Sequence, residues 1–296
     1  MSDVSLSNAT RTNLLSLQRT SNLIGRTQER LASGLKVNSA IDDALAFFKA
    51  RNLNARAGDL ASIKDAISGG VSVIRAAIQG LETIEATLKQ LKALAAAAVA
   101  SPESGTRAKL ASQFNELRSQ VDNIAEDSGF DGINLLKNTS EAFAASSDQL
   151  TVKFNERTTV SAVNQLVVSG LNTTDFISIL ARSAIATGTA GATTVWGQTG
   201  TAAVTAINSA IRSIDSALVT VRQAAQTFGT NSSLLEIRRA FTENLINTLK
   251  GGASTLVNAD LNEESANLLS LQTRQQLGTI SLSIAQQSEQ SVLRLF

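Results

Sequence analysis

Residues 60–98 read LASIKDAISGGVSVIRAAIQGLETIEATLKQLKALAAAA, and this stretch decides the fold. Written in heptads, one core position is occupied by Leu60, Ile67, Ile74, Leu81, Leu88 and Ala95, and the other by Ile63, Gly70, Ala77, Ile84, Leu91 and Ala98. Two mostly apolar positions per heptad are typical of a coiled-coil seam. No proline interrupts residues 43–98, so at 1.5 Å per residue they predict one helix of roughly 80 Å.

A second apolar stripe lies near the other end of the chain. One seam position is occupied by Ile207, Ile214, Val221, Phe228, Leu235, Leu249 and Leu256, and the second by Ile211, Leu218, Ala225 and Ile246. A third helix is predicted over residues 106–127, after a reversing turn at 101–105. We expect the three helices to pack together.

The outermost segments carry weaker seams. Seam positions are predicted at Leu14, Leu17, Ile24, Leu31 and Leu35 near the start and at Leu268, Leu271, Leu282, Ala285 and Val292 near the end, interrupted by Ser21, Gln28, Gln275, Gly278 and Glu289. Further apolar residues fall off the seam, namely Leu15, Leu23, Leu269, Leu277, Ile280, Ile284, Leu295 and Phe296. One partner helix cannot cover such a wide stripe, so self-association is predicted.

The middle of the chain loses the helical period. Residues 149–154 alternate polar and apolar as a strand does, and 160–168 could supply a second strand of a small hairpin. A short helix is predicted over 174–186 and an exposed loop over 189–201. The predicted fold class is mainly α: an elongated helical bundle or coiled coil formed by the N- and C-terminal segments, with a small β-hairpin-containing variable middle.

Composition argues against most chemistry. The 296 residues include neither cysteine nor histidine, which removes thiol ligands and the commonest metal ligand and general base. A net charge of +1 gives no electrostatic case for nucleic acid or an anionic membrane. We therefore predict no catalytic residue, no cofactor, no metal site, and neither nucleic acid nor membrane as a partner.

The acidic pairs have a structural interpretation. Asp42 and Asp43, and Asp260 with Glu263 and Glu264, stand where helices should begin, so they are interpreted as helix caps. Asp260 and Glu263 have the spacing of a capping box. Gly70 is interpreted as a site of close helix approach, and the lone Trp196 as packing onto the nearest helix rather than binding a ligand.

Localisation signals are sparse. No run of 18 apolar residues is present, and residues 1–8 lack the basic and apolar regions of a cleavable signal. Taken alone, these features favour the cytoplasm unless a dedicated exporter carries the unprocessed chain.

One run of sequence resembles a known family. Residues 30–44, RLASGLKVNSAIDDA, are similar to the N-terminal signature of the flagellins, in which Asn38, Asp42 and Asp43 are part of the motif. Residues 129–132 (GFDG) stand for the family's Phe-Asn-Gly turn, and the likeness resumes from 217 through 257–260 (VNAD) to 292–296 (VLRLF). Residues 140–205 are unmatched, as in the family's variable surface region.

The resemblance implies a structural subunit that polymerises into the flagellar filament for swimming motility. Its expected domains are 1–42 with 258–296 as inner-tube helices that are disordered in the free subunit, 43–140 with 203–257 as the helical shaft, and 141–202 as the variable surface. The implied assembly residues are Leu14, Leu17, Ile24, Leu31, Leu35, Asn38, Asp42, Asp43, Asp260, Leu268, Leu271, Leu282, Val292 and Leu295. Copies of the chain itself, a flagellar export chaperone, the filament cap and the hook-junction proteins are the implied partners. Export through the flagellar type III apparatus, without a cleaved signal, would place it outside the cell.

A departure from the family pattern falls on the predicted long helix. Many flagellins carry Gln-Arg-aliphatic-Arg-Glu-Leu-Ala there, a string that an animal innate receptor recognises. The aligned residues here are Lys89, Gln90, Leu91, Lys92, Ala93, Leu94 and Ala95, so Gln90 replaces an Arg and Ala93 replaces the Glu.

Two alternatives stay open on the sequence. A hook-filament junction protein of the same superfamily would share weaker terminal signatures. A cytosolic signalling coiled-coil hairpin is suggested by the paired residues 263–264, 275–276 and 286–287, but matching pairs are absent from the first arm.

Overall fold

Helix α2 spans Ala44–Ala100, and its 57 residues correspond to a rod of about 85 Å. The computed structural model describes residues 8–137, 149–156, 164–171, 195–197 and 200–293. The other helices are α1 (Asn8–Ser33), α3 (Ser104–Asp127), α4 (Thr201–Val257) and α5 (Leu261–Leu293). Strands β1 (Gln149–Lys153) and β2 (Gln165–Ser169) and a 3₁₀ turn (Val195–Gly197) lie between α3 and α4. The mainly α prediction is confirmed.

The chain forms two compact units. The first, the terminal unit, holds the residues up to Gly58 and from Leu245 onward, and the second, the central unit, holds Asp59–Asn244. Helices α2 and α4 contribute residues to both. In the terminal unit, α2 and α4 bury mostly small side chains: Ala50, Ala57, Ile246 and Ala253.

The α2 seam is confirmed in the central unit. All twelve predicted seam residues are buried except Ile63, which is half-buried. Three ion pairs join α2 to α4, namely Arg75–Glu236, Arg222–Glu85 and Lys92–Asp215. Residue numbers rise along α2 as they fall along α4 in these pairs, so the two helices run antiparallel.

On α4 the first predicted seam position is confirmed, and the second is confirmed in part. Ile207, Ile214, Val221, Phe228 and Leu235 are buried as predicted. At the second position Leu218 and Ile246 are buried as predicted, whereas Ile211 and Ala225 are half-buried. Ala203, Ala210 and Ala217 are fully buried as well. Small alanines let the helix backbones approach closely, and Ala210 is accordingly more deeply buried than the adjacent Ile211.

The hairpin lies over α2 in the central unit. Strands β1 and β2 pair antiparallel, with Leu150 opposite Val168 and Val152 opposite Leu166. Gly70 is needed here because a Cβ on it would lie 2.7 Å from Val152 Cγ2. The close approach predicted at Gly70 is therefore confirmed, but its tightest neighbour is a strand rather than a helix. The predicted helix over 174–186 lies outside the described residues.

The turn after α3 is a tight reversal. Phe130 and Ile133 exchange backbone hydrogen bonds of 2.9 and 3.0 Å around Asp131 and Gly132, which have φ values of 51° and 77°. Positive φ at both central residues is the type I′ geometry that Asp-Gly favours. Asn134 Nδ2 then donates to the carbonyls of Ala125 and Glu126, which closes the end of α3.

Trp196 is buried in the central unit. Its indole lies 5.1 Å from the Phe114 ring of α3, and Arg107 Nε donates to its carbonyl at 3.0 Å. The predicted packing onto a helix is confirmed. The prediction of an exposed loop over 189–201 is wrong at Trp196, which is fully buried, and at Gly197, which is half-buried, because the indole packs against α3. Gly200 and Thr201 are exposed, and 189–194 and 198–199 lie outside the described residues.

Candidate functional site: the terminal helix pair

Helices α1 and α5 pack against each other within the terminal unit. Arg30 of α1 pairs with Glu264 of α5, and Leu17 lies against Gly278. The contacts move back along α1 as they move forward along α5, so the pair is antiparallel. This places the first and last described helices in one structural element.

The α1 seam alternates aliphatic and polar residues. Its buried and half-buried positions are Thr10, Asn13, Leu17, Thr20, Ile24, Thr27, Arg30 and Leu31. Leu17, Ile24 and Leu31 therefore face α5 as predicted. The seam position assigned to Leu14 is wrong: Leu14 is 41% exposed, and the neighbouring Asn13 takes its place. The pattern chose the more apolar of two adjacent residues, while the helix turns the other one inward.

The α5 seam is confirmed where the structure describes it. Leu268, Leu271, Gln275, Gly278, Leu282 and Ala285 are all half-buried. Gly278 is a close contact rather than a defect, because a Cβ there would lie 2.8 Å from Leu17 Cδ2. The side chain of Val292 and the whole of Leu295 lie outside the described residues.

The opposite face of α5 is also apolar. Leu269, Leu277, Ile280 and Ile284 are 56–67% exposed. At about 100° per residue these four fall within roughly 80° of arc, nearly opposite the seam. We call them the outer stripe. On α1, Leu15 and Leu23 are likewise about half exposed, so the predicted excess of off-seam apolar residues is confirmed for the described positions.

The breaks between helices lie side by side. Gly34, with φ of 72°, ends α1, and its carbonyl accepts the Ala259 amide at 2.9 Å. Lys36 donates its amide to the Val257 carbonyl at 2.7 Å, and Leu35 forms an antiparallel bridge with Asn258. These backbone bonds join the segment after α1 to the segment before α5, and we call them the junction clamp.

The acidic residues at the junction divide their roles. Asp43 Oδ1 accepts the Ala46 amide at 3.0 Å, and Asp260 Oδ1 accepts the Asn262 amide at 2.9 Å, so both cap helices as predicted. Asp42 does not cap α2. Its Oδ2 accepts the amides of Asn38 and Ser39 and the Ser39 hydroxyl, because the chain folds back on itself before the helix begins. These bonds, led by the Ser39 amide, hold the pKa of Asp42 below its ordinary value of 3.8.

The sequence interpretation assigned Glu264 to a helix cap and missed its position on the α5 seam. It is buried on the α5 seam, and its Oε1 accepts from Arg30 Nη1 at 2.9 Å. A signal was available, because Glu264 precedes Leu271 by one heptad. An open cavity of about 520 Å³ lies beside this pair, lined by Lys36, Asp43, Thr255 and Asn267 among others.

The altered receptor stretch lies on α2 in the central unit. Gln90 and Ala93 are exposed, and Leu94 is half-buried. Lys89 pairs with Glu85 on its own helix, and Lys92 pairs with Asp215 of α4. Both remaining cations of the stretch are thus engaged within the chain.

Comparisons with known proteins agree at both ends. The bacterial flagellin N-terminal helical region matches residues 4–141, and the C-terminal helical region matches 211–296. Flagellin FljM of Caulobacter vibrioides is 33% identical over 96% of this chain and 94% of that protein. Flagellin C of Rhizobium meliloti is 30% identical over 91% of each. A crystal structure of Bacillus cereus flagellin shares 16% identity at a TM-score of 0.45, covering 61% of this chain and 88% of that one.

The length and apolarity of the described helices bear on membrane spanning. Within these residues, none combines the length and apolarity needed to cross a bilayer. The two family regions together cover well over half of the sequence, and the curated relatives match it nearly end to end. The chain belongs to the bacterial flagellin family and is a structural subunit of the flagellar filament.

Proposed function

We propose that the terminal helix pair is the assembly element of this flagellin and that the outer stripe of α5 contacts neighbouring copies. The observation that carries this proposal is the pair of opposite apolar faces on α5, one against α1 and one exposed. A helix with two opposite apolar faces can bury both of them only by packing against two partners. In a homopolymer the second partner is supplied by another copy.

The energetic argument rests on four aliphatic side chains. Fully burying one Leu or Ile gives about 1.5–3 kcal/mol relative to leaving it in water, and each outer-stripe residue is already partly covered. The gain per subunit is therefore modest, and it accumulates only when many copies share the contact. Growth on an existing end is favoured over the meeting of two free subunits.

The proposed domains follow the family resemblance. Residues 1–42 with 258–296 would form the inner tube, 43–140 with 203–257 the shaft, and 141–202 the variable surface. The proposed subunit-packing residues are the predicted seam and motif residues, with Leu14 placed among the exposed aliphatics. Support comes from the compact terminal unit, in which α1 and α5 pair without help from the central unit.

Export belongs to the same proposal. The flagellar type III apparatus would carry the chain out unprocessed, with an export chaperone, the filament cap and hook-junction proteins as partners. Membership of the flagellin family supports this export route. Intact mass of shed filaments tests it, because cleavage would leave a subunit lighter than the 31.0 kDa chain.

A double substitution tests the assembly surface. In I280S/I284S the α1 seam is untouched, so helicity by circular dichroism should match the parent while sedimentable filament is lost. The matched control is V219S, since Val219 is a similarly exposed aliphatic residue on α4, 52% accessible and outside the outer stripe. Normal filaments from I280S/I284S, or equal loss in V219S, would contradict the proposal.

A further inference from the structure

The heptad repeat on the α1 side of the seam does not by itself define a register. On α1 the aliphatic positions Leu17, Ile24 and Leu31 recur every seven residues, and so do Thr20 and Thr27. A shift of one heptad along α1 would put an aliphatic residue where another aliphatic residue lay and a threonine where another threonine lay. Repeats of this kind leave several pairings close in energy.

Glu264 breaks this degeneracy. It occupies the same heptad position as Leu271, Gly278 and Ala285, so it is a charged residue at a seam site. Its side chain is only 10% exposed, and Arg30 reaches it at 2.9 Å. In a shifted pairing the carboxylate would lose that guanidinium and remain buried without a counter-charge, which is strongly unfavourable.

Two further features agree with the same register. The Leu17 side chain fits the gap above Gly278, and seven residues away in either direction α5 presents Leu271 or Ala285 instead. The junction clamp sets where the two helices start, because its hydrogen bonds bind fixed backbone positions.

We propose that the Arg30–Glu264 pair is a register lock, which selects one alignment of the terminal helices against alignments shifted by one heptad. The lock concerns pairing within one chain and stands whether or not the outer stripe mediates assembly. A polar group at a seam that fixes register at some cost in stability is a known use of such residues.

Disulfide trapping in the full-length chain reads the register directly, because the sequence has no cysteine of its own. L17C/G278C reports the observed alignment, since a Cβ at 278 lies 3.1 Å from Leu17 Cγ and removal of the isobutyl group makes room for the sulfurs. L17C/L271C and L17C/A285C report shifts of one heptad in either direction. In the parent background we expect cross-linking almost only in L17C/G278C.

The lock is then removed without opening the seam. R30M/E264L replaces the ion pair by apolar side chains, so helicity and thermal stability should be unchanged or higher. The yield of the shifted cross-links should nevertheless rise on the order of tenfold. Reversing the pair as R30E/E264R should restore the parent pattern, and R75A, which breaks the exposed Arg75–Glu236 pair, should leave it unchanged.

Three results of these cross-linking experiments would count against the register lock. A single register in folded R30M/E264L would overturn the lock, and so would equal yields of all three cross-links in the parent. Failure of the charge reversal to restore the pattern would also count against it. If R30M/E264L lost helicity, E264Q would decide, since it keeps the shape and hydrogen-bonding capacity but removes the charge: a single register in folded E264Q would overturn the lock.

Discussion

Leu17 of α1 lies directly over Gly278 of α5, so closely that a Cβ on residue 278 would stand 2.8 Å from Leu17 Cδ2. In G278A, α1 and α5 must separate or Leu17 must leave its rotamer, at a cost of about 1–3 kcal/mol. We expect faster amide hydrogen exchange across both terminal helices. The double variant L17A/G278A should recover part of the protection.

A second glycine provides the control for this prediction. Gly251 is exposed within α4, and nothing lies within 4 Å of a Cβ placed there. G251A should therefore stabilise the helix by up to about 1 kcal/mol through propensity alone. Equal destabilisation by G278A and G251A would show that the contact with Leu17 is not the cause.

Trp196 should dominate the stability of its surroundings in the central unit. The side chain is fully buried against Phe114, so W196A should cost about 3–5 kcal/mol in the free energy of unfolding. W196F keeps an aromatic ring and should cost much less. Because Trp196 is the lone tryptophan, the intrinsic fluorescence of the protein monitors its burial directly. In urea the emission maximum should shift to the red together with the loss of helicity.

The lowered pKa values of two carboxylates, Glu85 and Asp42, indicate that the folded state loses stability in acid. The pKa of Glu85 is held below its ordinary 4.5 by its hydrogen bonds to Lys89 and then Arg222, as that of Asp42 is held below 3.8 by Ser39. Folding therefore disfavours protonation, and the stabilisation is complete above those ordinary values and lost as pH falls through the folded ones. Unfolding midpoints should be flat from about pH 7 to 5 and drop below about 4.5. D42N and E85Q should flatten that drop; an unchanged pH profile would contradict the assignment.

Truncation separates the two units. A chain lacking residues 258–296 loses α5 and with it the partner of α1, whereas the buried seam of α2 in the central unit is untouched. Circular dichroism should show a folded helical protein, and sedimentation should show no filament. Long filaments from the truncated chain would remove the terminal pair from assembly.

Receptor activation is expected to be weak. Gln90 is exposed at the position where many flagellins carry an Arg, and it cannot supply a guanidinium fork. Losing such a charge-assisted contact costs about 2 kcal/mol, some thirtyfold in affinity. Reporter cells given purified monomer should respond poorly, and Q90R/A93E should recover much of the response. Potency in the parent equal to that of a flagellin with the full string would refute this.

The α2 seam was predictable because both of its positions are apolar over six heptads. At Ile211 of α4 and Leu14 of α1, the predicted seam residue lies beside a neighbour that is more deeply buried. In each case an aliphatic residue stands beside a smaller or more polar one, as Ile211 beside Ala210 and Leu14 beside Asn13, and the packed face took the latter. Hydrophobicity alone does not report how closely two backbones approach.

The Arg30–Glu264 pair and the burial of Trp196 depend on residues far apart in sequence. Glu264 lies among acidic residues at the start of a helix, so the sequence favours a capping role. Its actual partner, Arg30, is 234 residues away in sequence and becomes apparent only in the folded chain. Trp196 lies among Gly and Thr residues that predict a loop, and only the aromatic face of α3 explains its position.

The threonines on the α1 seam have a consequence for the chain before it is folded. Thr20 hydrogen-bonds the carbonyl of Ser16 one turn back, so its hydroxyl is satisfied inside the helix, and in the extended chain it is satisfied by water. A seam made wholly of leucine would instead expose a continuous apolar surface on every chain in which α1 and α5 are not yet paired. Threonines at alternate seam positions act as gatekeepers against premature aggregation. The same threonines that make the α1–α5 seam less apolar thus reduce the apolar surface that an unpaired α1 exposes to water.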